Sequence, residues 1–177
     1  MHTLKKELWN TKVMVKVSVL AVISFILMFF EFPLVWLAPT FIKLDISDLP
    51  ALIGAFALGP MAGVIIELLK NILNLLIDGT TTGGVGELAN FVVGAAYVYT
   101  AGAIYFRKKN FKHAIVGLFF GTIVMTIIMA VANYYIMFPF YAKLFGMPLD
   151  TLIEMGTAIV ISALTILIYK KVSPILH

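Results

Sequence analysis

Apolar positions along this chain fall into long unbroken runs, not into a clean alternation of buried and exposed residues. Six runs stand out, at about residues 13–30, 49–58, 61–77, 87–106, 114–138 and 152–169. A bilayer core is roughly 30 Å thick and a helix needs about 20 mostly apolar residues to cross it. The pattern therefore predicts an all-α integral membrane protein, with residues 1–177 forming a single transmembrane domain of six helices. The second run is too short for a perpendicular span, so it is expected to tilt or to borrow residues from the loop before it, where Ser47 or Asp48 is placed to cap the helix. Gly59-Pro60 separates the second run from the third, because proline removes a donor and restricts its predecessor. The glycine-rich stretch 78–86 needs a watery or protein-lined setting. The first run is long enough to span, so no cleavable signal peptide is expected.

Composition strengthens this picture. Hydrophobic residues make up 62% of the chain and charged residues 12%, against about 25% charged in an average soluble domain. With no cysteine, disulfides, thiol nucleophiles and Cys-based metal sites are excluded. His2, His113 and His177 are too scattered to form a sequence cluster of metal ligands. The net charge of +4 would suit nucleic acid, but its distribution points to the membrane. Lys5, Lys6, Lys12 and Lys16 precede the first helix, Arg107, Lys108, Lys109 and Lys112 separate the fourth from the fifth, and Lys170 and Lys171 close the sixth. If six helices alternate, these share one side, joined among the acids only by Glu7. Glu31, Asp45, Asp48, Asp78, Glu87, Asp150 and Glu154 fall to the other side. The positive-inside rule then predicts that both termini are cytoplasmic.

Within this apolar frame, a few polar groups are candidates for chemistry. Glu67, Lys70, Asn71, Asn74 and Asp78 repeat at helical spacing along one face of the third segment. Intramembrane charges are costly and usually face the bundle interior, so Glu67 and Lys70 are placed to pair with each other or with neighbouring helices. They form either a polar floor beneath a ligand or a packing pair. The first outer loop, residues 31–48, mixes aromatic and polar groups, and Pro33 and Pro39 stiffen it. It suits a binding loop or an interfacial aromatic belt. Glu87 and Asn90 share a face where the fourth segment opens. The helix dipole alone accounts for Glu87 but not for Asn90, a turn deeper. Asn133, followed by Tyr134, Tyr135 and Tyr141, offers amide donors and an acceptor beside ring surfaces. That suits a flat heteroaromatic ligand, or alternatively a hydrogen bond between helices. A phosphate-binding P-loop, a dinucleotide fingerprint, an H-E-x-x-H zinc motif and a plausible Ser-His-Asp set are all missing, which argues against an enzyme.

The runs Lys43–Gly54, Phe56–Pro60, Glu67–Asn71 and Thr82–Phe91, together with Phe32-Pro33, Asn133-Tyr134 and Tyr169–Pro174, give the chain a specific likeness over nearly its whole length. It resembles the riboflavin-specific substrate-binding (S) components of energy-coupling factor (ECF) transporters. The resemblance implies a six-helix S-component fold in a prokaryotic cytoplasmic membrane, with riboflavin as the transported substrate and no cofactor or metal. It implies an outward-opening site with Leu44, Asp45, Gly86, Glu87, Asn90, Asn133, Tyr134 and Tyr141 as candidates. Asn133 would read the polar edge of the ring, and Glu87 or Asp45 would meet ribityl hydroxyls. The implied partners are the lipid bilayer, a transmembrane coupling subunit and two ATPase subunits, with no nucleic acid. Docking on the coupling subunit in this family uses small residues of the first helix, often A-x-x-x-A. The corresponding positions here are Ser18, Ala21, Val22 and Ser24, and Val22 departs from the pattern. A second departure is a shorter stretch before the last helix, where about twenty residues of the family pattern, often including a lysine near the ligand, are expected to be absent. Three other readings compete: an S component for another vitamin, a standalone proton-coupled transporter using Glu67, or a membrane enzyme.

Overall fold

The computed structural model of the chain describes residues 10–30, 32–33, 43–44, 46–80, 83–146, 148 and 150. The last expected segment, about 152–169, lies outside the described residues. The chain divides into two compact units, Met1–Glu31 with Asp45–Ala132, and Phe32–Leu44 with Asn133–His177.

Among the described residues the first unit is a bundle of five helices: α1 (Thr11–Met28), α2 (Asp48–Leu58), α3 (Pro60–Ile77), α4 (Val85–Lys108) and α5 (Phe111–Ala132). Asn10 caps α1, its side-chain oxygen accepting from the Lys12 backbone N–H at 3.1 Å. Lys109, in the left-handed region, ends α4, and Asn110 starts α5 by accepting from the His113 backbone N–H at 2.8 Å. Among the described residues, four helices are long and apolar enough to cross a membrane: Thr11–Met28, Pro60–Ile77, Val85–Lys108 and Phe111–Met137. The 11-residue α2 is shorter. At about 1.5 Å per residue it reaches roughly 16 Å, about half a bilayer core.

The break between α2 and α3 sits where Gly59-Pro60 predicts it. Gly59 holds φ +121° and ψ +158°, a conformation open essentially to glycine alone, and Pro60 starts α3. Nothing crowds a Cβ there, the nearest atom being Phe106 Cζ at 3.9 Å. Gly59→Ala is therefore expected to cost about 1–3 kcal/mol through backbone strain, read as a lowered unfolding midpoint in detergent with the helix content retained.

The core gathers Val17 and Ala21 of α1, Ala51, Leu52 and Ala55 of α2, Ala62 and Ile66 of α3, and Val98 and Ala101 of α4. Small residues let these helices approach closely. A Cβ on Gly63 would lie 2.7 Å from Ala55 Cβ, and one on Gly102 would lie 3.1 Å from the same atom. The two buried residues of α5 are Gly117 and Gly121. Thr122 and Thr126, on the same apolar helix, satisfy their hydroxyls by donating to the carbonyls of Leu118 and Thr122 at 2.9 and 2.8 Å, as hydroxyls in helices can.

Helix α3 is inside-out. Its buried stripe is Ala62, Gly63, Ile66, Glu67, Lys70 and Asn71, while Leu68, Ile72, Leu75 and Leu76 are exposed. In water such a helix would turn the charges outward. Charges inward and leucines outward is the arrangement a lipid surround requires.

In the second unit, Phe32–Pro33 (β1) pairs antiparallel with Lys43–Leu44 (β2), placing Phe32 opposite Leu44 and Pro33 opposite Lys43. These residues read from the sequence as loop, because two-residue strands leave no alternation to detect. The unit also holds a π-helical turn, Asn133–Met137, and a short helix α6, Phe138–Phe145.

Candidate binding site

Polar side chains of α2, α3 and α4 meet in a seam through the first unit. At its base, Lys70 Nζ lies 2.6 Å from Asp48 Oδ1 and 2.7 Å from Glu67 Oε2 and donates to Ser47 Oγ at 3.1 Å. The ammonium thus donates to two acceptors, Asp48 Oδ1 and Ser47 Oγ, and meets Glu67 as a counter-charge. Glu67 and Lys70 are fully buried. The Glu67 contact is an ion pair without hydrogen-bond geometry, and neither Glu67 oxygen has a hydrogen-bond partner among the described residues. Asp48 lies in the first turn of α2, where the helix dipole favours an anion. Gly94 of α4 makes room for the cluster, since a Cβ there would sit 2.7 Å from Glu67 Oε2.

Ser47 occupies the cap position of α2 but makes no side-chain cap hydrogen bond. Its hydroxyl accepts from Lys70 instead, which corrects the capping role expected for it. Lys70 therefore pins the entry of α2, immediately after the segment that carries Leu44 and Asp45.

A second tier is built from amides. Asn71 Nδ2 donates to the Glu67 carbonyl at 2.9 Å, and Asn90 Nδ2 donates to Asn71 Oδ1 at 3.1 Å. Asn71 is buried and Asn90 half-buried. Toward the end of the seam, Thr80 Oγ1 donates to Glu87 Oε2 at 3.1 Å and accepts from the Gly84 N–H at 2.8 Å. This ties the α3–α4 connection to the first turn of α4, which also holds Gly86.

The first unit thus brings together Glu67, Lys70, Glu87 and Asn90 along one seam, with Gly86 beside it. The remaining candidate residues belong to the second unit, apart from Asp45, which lies outside the described residues. Leu44 ends β2, and Tyr141 falls within α6. Asn133 opens the π-helical turn and is half-buried, in a conformation often found at functional sites. Tyr134 is exposed, its ring edge-on to Tyr135 at 5.0 Å and 81°.

On α1 the four expected interface residues do not share a face. Ala21 and Ser24 are buried in the bundle, while Ser18 and Val22 are exposed. At 100° per residue, positions 18 and 22 point about 110° away from positions 21 and 24. Ser47, Asn71 and Gly94 escaped the site reading. Asn71 lay on the polar face of α3, but its link to Asn90 joins residues 19 positions apart, beyond any helical spacing.

The substrate-specific component family of ECF transporters matches this chain over residues 12–172. The chain belongs to the ECF substrate-specific components. This family is a transporter's substrate-binding part, not an enzyme. Among relatives, the riboflavin transporter RibU of Staphylococcus aureus is 38% identical over 181 positions, covering 96% of this chain and 94% of its own. The riboflavin transporter FmnP of Bacillus subtilis is 36% identical, covering 85% of this chain and 80% of its own. The alignment to the S. aureus protein is longer than the 177 residues here, so this substrate-specific component lacks some positions that its relative carries. A solved S component of a bacterial ECF transporter superposes with a TM-score of 0.66 at 39% identity, covering 93% of this chain and 97% of that one. With its apolar helices, the substrate-specific component is a multi-pass protein of a bacterial cytoplasmic membrane.

Proposed function

We propose that this chain captures riboflavin at the outer face of the membrane as the S component of an ECF uptake transporter. It passes the vitamin inward with a transmembrane coupling subunit and two ATPase subunits. The observation that carries this reading is the identity of 38% and 36%, over most of the chain, to two proteins named riboflavin transporters. The site chemistry agrees with it, because a neutral ligand rich in donors and acceptors calls for amides and paired charges of the kind that line the α3–α4 seam.

In this proposal six helices cross the membrane with both termini cytoplasmic, supported by the basic residues at and before the start of α1 and around the α4–α5 turn. The vitamin is held by Leu44, Asp45, Gly86, Glu87, Asn90, Asn133, Tyr134 and Tyr141, with Asn133 on the polar edge of the ring. It is substrate and not cofactor, and nothing in its capture calls for a metal. For coupling-subunit docking, Ser18 and Val22 are the available residues of α1, since the other two candidates face inward.

The first test is colour. Protein purified from rich medium should show a flavin absorption band and quench added riboflavin fluorescence, and a colourless preparation that leaves the fluorescence unchanged rejects the proposal. Asn133→Ala should weaken riboflavin binding about 10- to 100-fold, the cost of leaving a bound polar edge without its partner. An unaltered Kd in a quenching titration would remove Asn133 from the site. Uptake into vesicles should require the ATPase subunits, and uptake driven by a proton gradient alone would point to a standalone carrier.

A further inference from the structure

We infer that Asn71 is a positioning residue that fixes which way round the Asn90 side-chain amide points, so that Asn90 presents an oxygen to the ligand and takes a hydrogen-bond donor from it. This rests on the riboflavin reading above. The two ends of an asparagine amide have nearly the same shape, and their orientation is set by hydrogen-bond partners. Here the chain of partners starts from a group with one role. The Glu67 backbone carbonyl can only accept, so the side-chain atom of Asn71 lying 2.9 Å from it is the NH2 group. That leaves Asn71 Oδ1 directed at α4, where it can only accept, and the Asn90 atom 3.1 Å away is therefore also the NH2 group. Asn90 Oδ1 is turned to the opposite side and has no hydrogen-bond partner among the described residues.

The relay is well protected. Asn71 is 4% exposed and Glu67 fully buried, so water does not compete for the first link. Asn90 is half-buried, one helical turn inward from Glu87, so its oxygen is not sealed in the core. A buried acceptor discriminates strongly for a donor, because a ligand offering a lone pair there leaves both groups unsatisfied. Riboflavin supplies donors as hydroxyl and imide groups.

The test is a double-mutant cycle on riboflavin affinity in the full-length detergent-solubilised protein. Asn71→Leu keeps the approximate volume and removes the relay, and it should raise Kd roughly fivefold, the worth of about one hydrogen bond. In an Asn90→Ala background the same change should alter Kd less than twofold, because no amide is left to orient. Equal losses in both backgrounds, or no loss in either, overturn the inference, since a merely structural role would be additive. If Asn71→Leu does not fold, Asn71→Ala runs the same cycle. Side-chain amide hydrogen exchange in ligand-free, 15N-asparagine-labelled wild type gives a reading that needs no variant and no riboflavin: protected Asn90 NH2 hydrogens support the relay, and exchange at the rate of a free amide overturns it. Wild type that fails to bind riboflavin rejects the transport reading itself, an outcome distinct from a wild type that binds but shows no coupling.

Discussion

Replacing Lys70 with alanine is expected to lower the unfolding free energy by about 3–5 kcal/mol, the usual cost of removing one partner from a buried ion pair. Lys70 contacts two carboxylates, at 2.6 Å from Asp48 and 2.7 Å from Glu67. It and Glu67 are both fully buried, so neither water nor salt can substitute for it. Asp48 is less dependent on it, because its side chain is 25% exposed and sits at the favourable end of a helix dipole. Most of the loss should therefore come from Glu67, left without its counter-charge in an apolar interior. Adding Glu67→Gln to Lys70→Ala should recover a large part of the stability. Unfolding titrations with SDS in mixed micelles would measure both proteins. A Lys70→Ala loss below 1 kcal/mol, or a double variant no better than the single one, would show that the cluster does not hold the bundle. Because Lys70 also bonds Ser47, the single variant should free the entry of α2 and weaken riboflavin binding.

The pairing of Glu67 with Lys70 was legible in the sequence because the two lie three residues apart on a helix. The partners Ser47 and Asp48 were not, since they precede Lys70 by more than twenty residues. The break at Gly59-Pro60 was legible because it follows from local backbone chemistry. The inward face of an apolar helix was much harder to read. In a soluble bundle the polar pattern marks the outside. In a membrane, lipid and core are both apolar, and burial leaves little trace in composition. This is why Ala21 and Ser24 were grouped with Ser18 and Val22, although the bundle separates them by about 110°. Only α3 announces its inner face, through charges that have nowhere else to go. The π-helical turn at Asn133 leaves no sequence signal of its own, so the residue was singled out as a candidate by its chemistry and not its conformation.

On α5 the contact with α4 depends on the absence of side chains, and Gly117→Val is expected to be the most disruptive single substitution on that helix. Gly117 and Gly121 are four residues apart and are the two buried residues of α5, the small-xxx-small spacing that lets membrane helices meet closely. A Cβ on Gly117 would lie 2.6 Å from the Ala101 carbonyl oxygen and 3.3 Å from Ala101 Cα. Those are backbone atoms, unable to rotate away as a side-chain tip can, so α5 must back off from α4. Overpacking typically costs 1–3 kcal/mol, so Gly117→Ala should fall at about 1–3 kcal/mol and Gly117→Val at or above the top of that range. Gly121 should be more forgiving, since its nearest neighbour, at 2.9 Å, is the Tyr97 ring, although the Tyr97 carbonyl at 3.1 Å limits the relief. The neighbouring Val116 is exposed, and Val116→Leu should stay within about 0.5 kcal/mol, which controls for lipid-facing volume. Equal losses at positions 116 and 117 would mean that α5 does not contact α4 through its glycines. The same displacement should lower riboflavin affinity in Gly117→Val, because α5 braces α4, the helix that carries Glu87 and Asn90, two of the residues proposed to hold the vitamin.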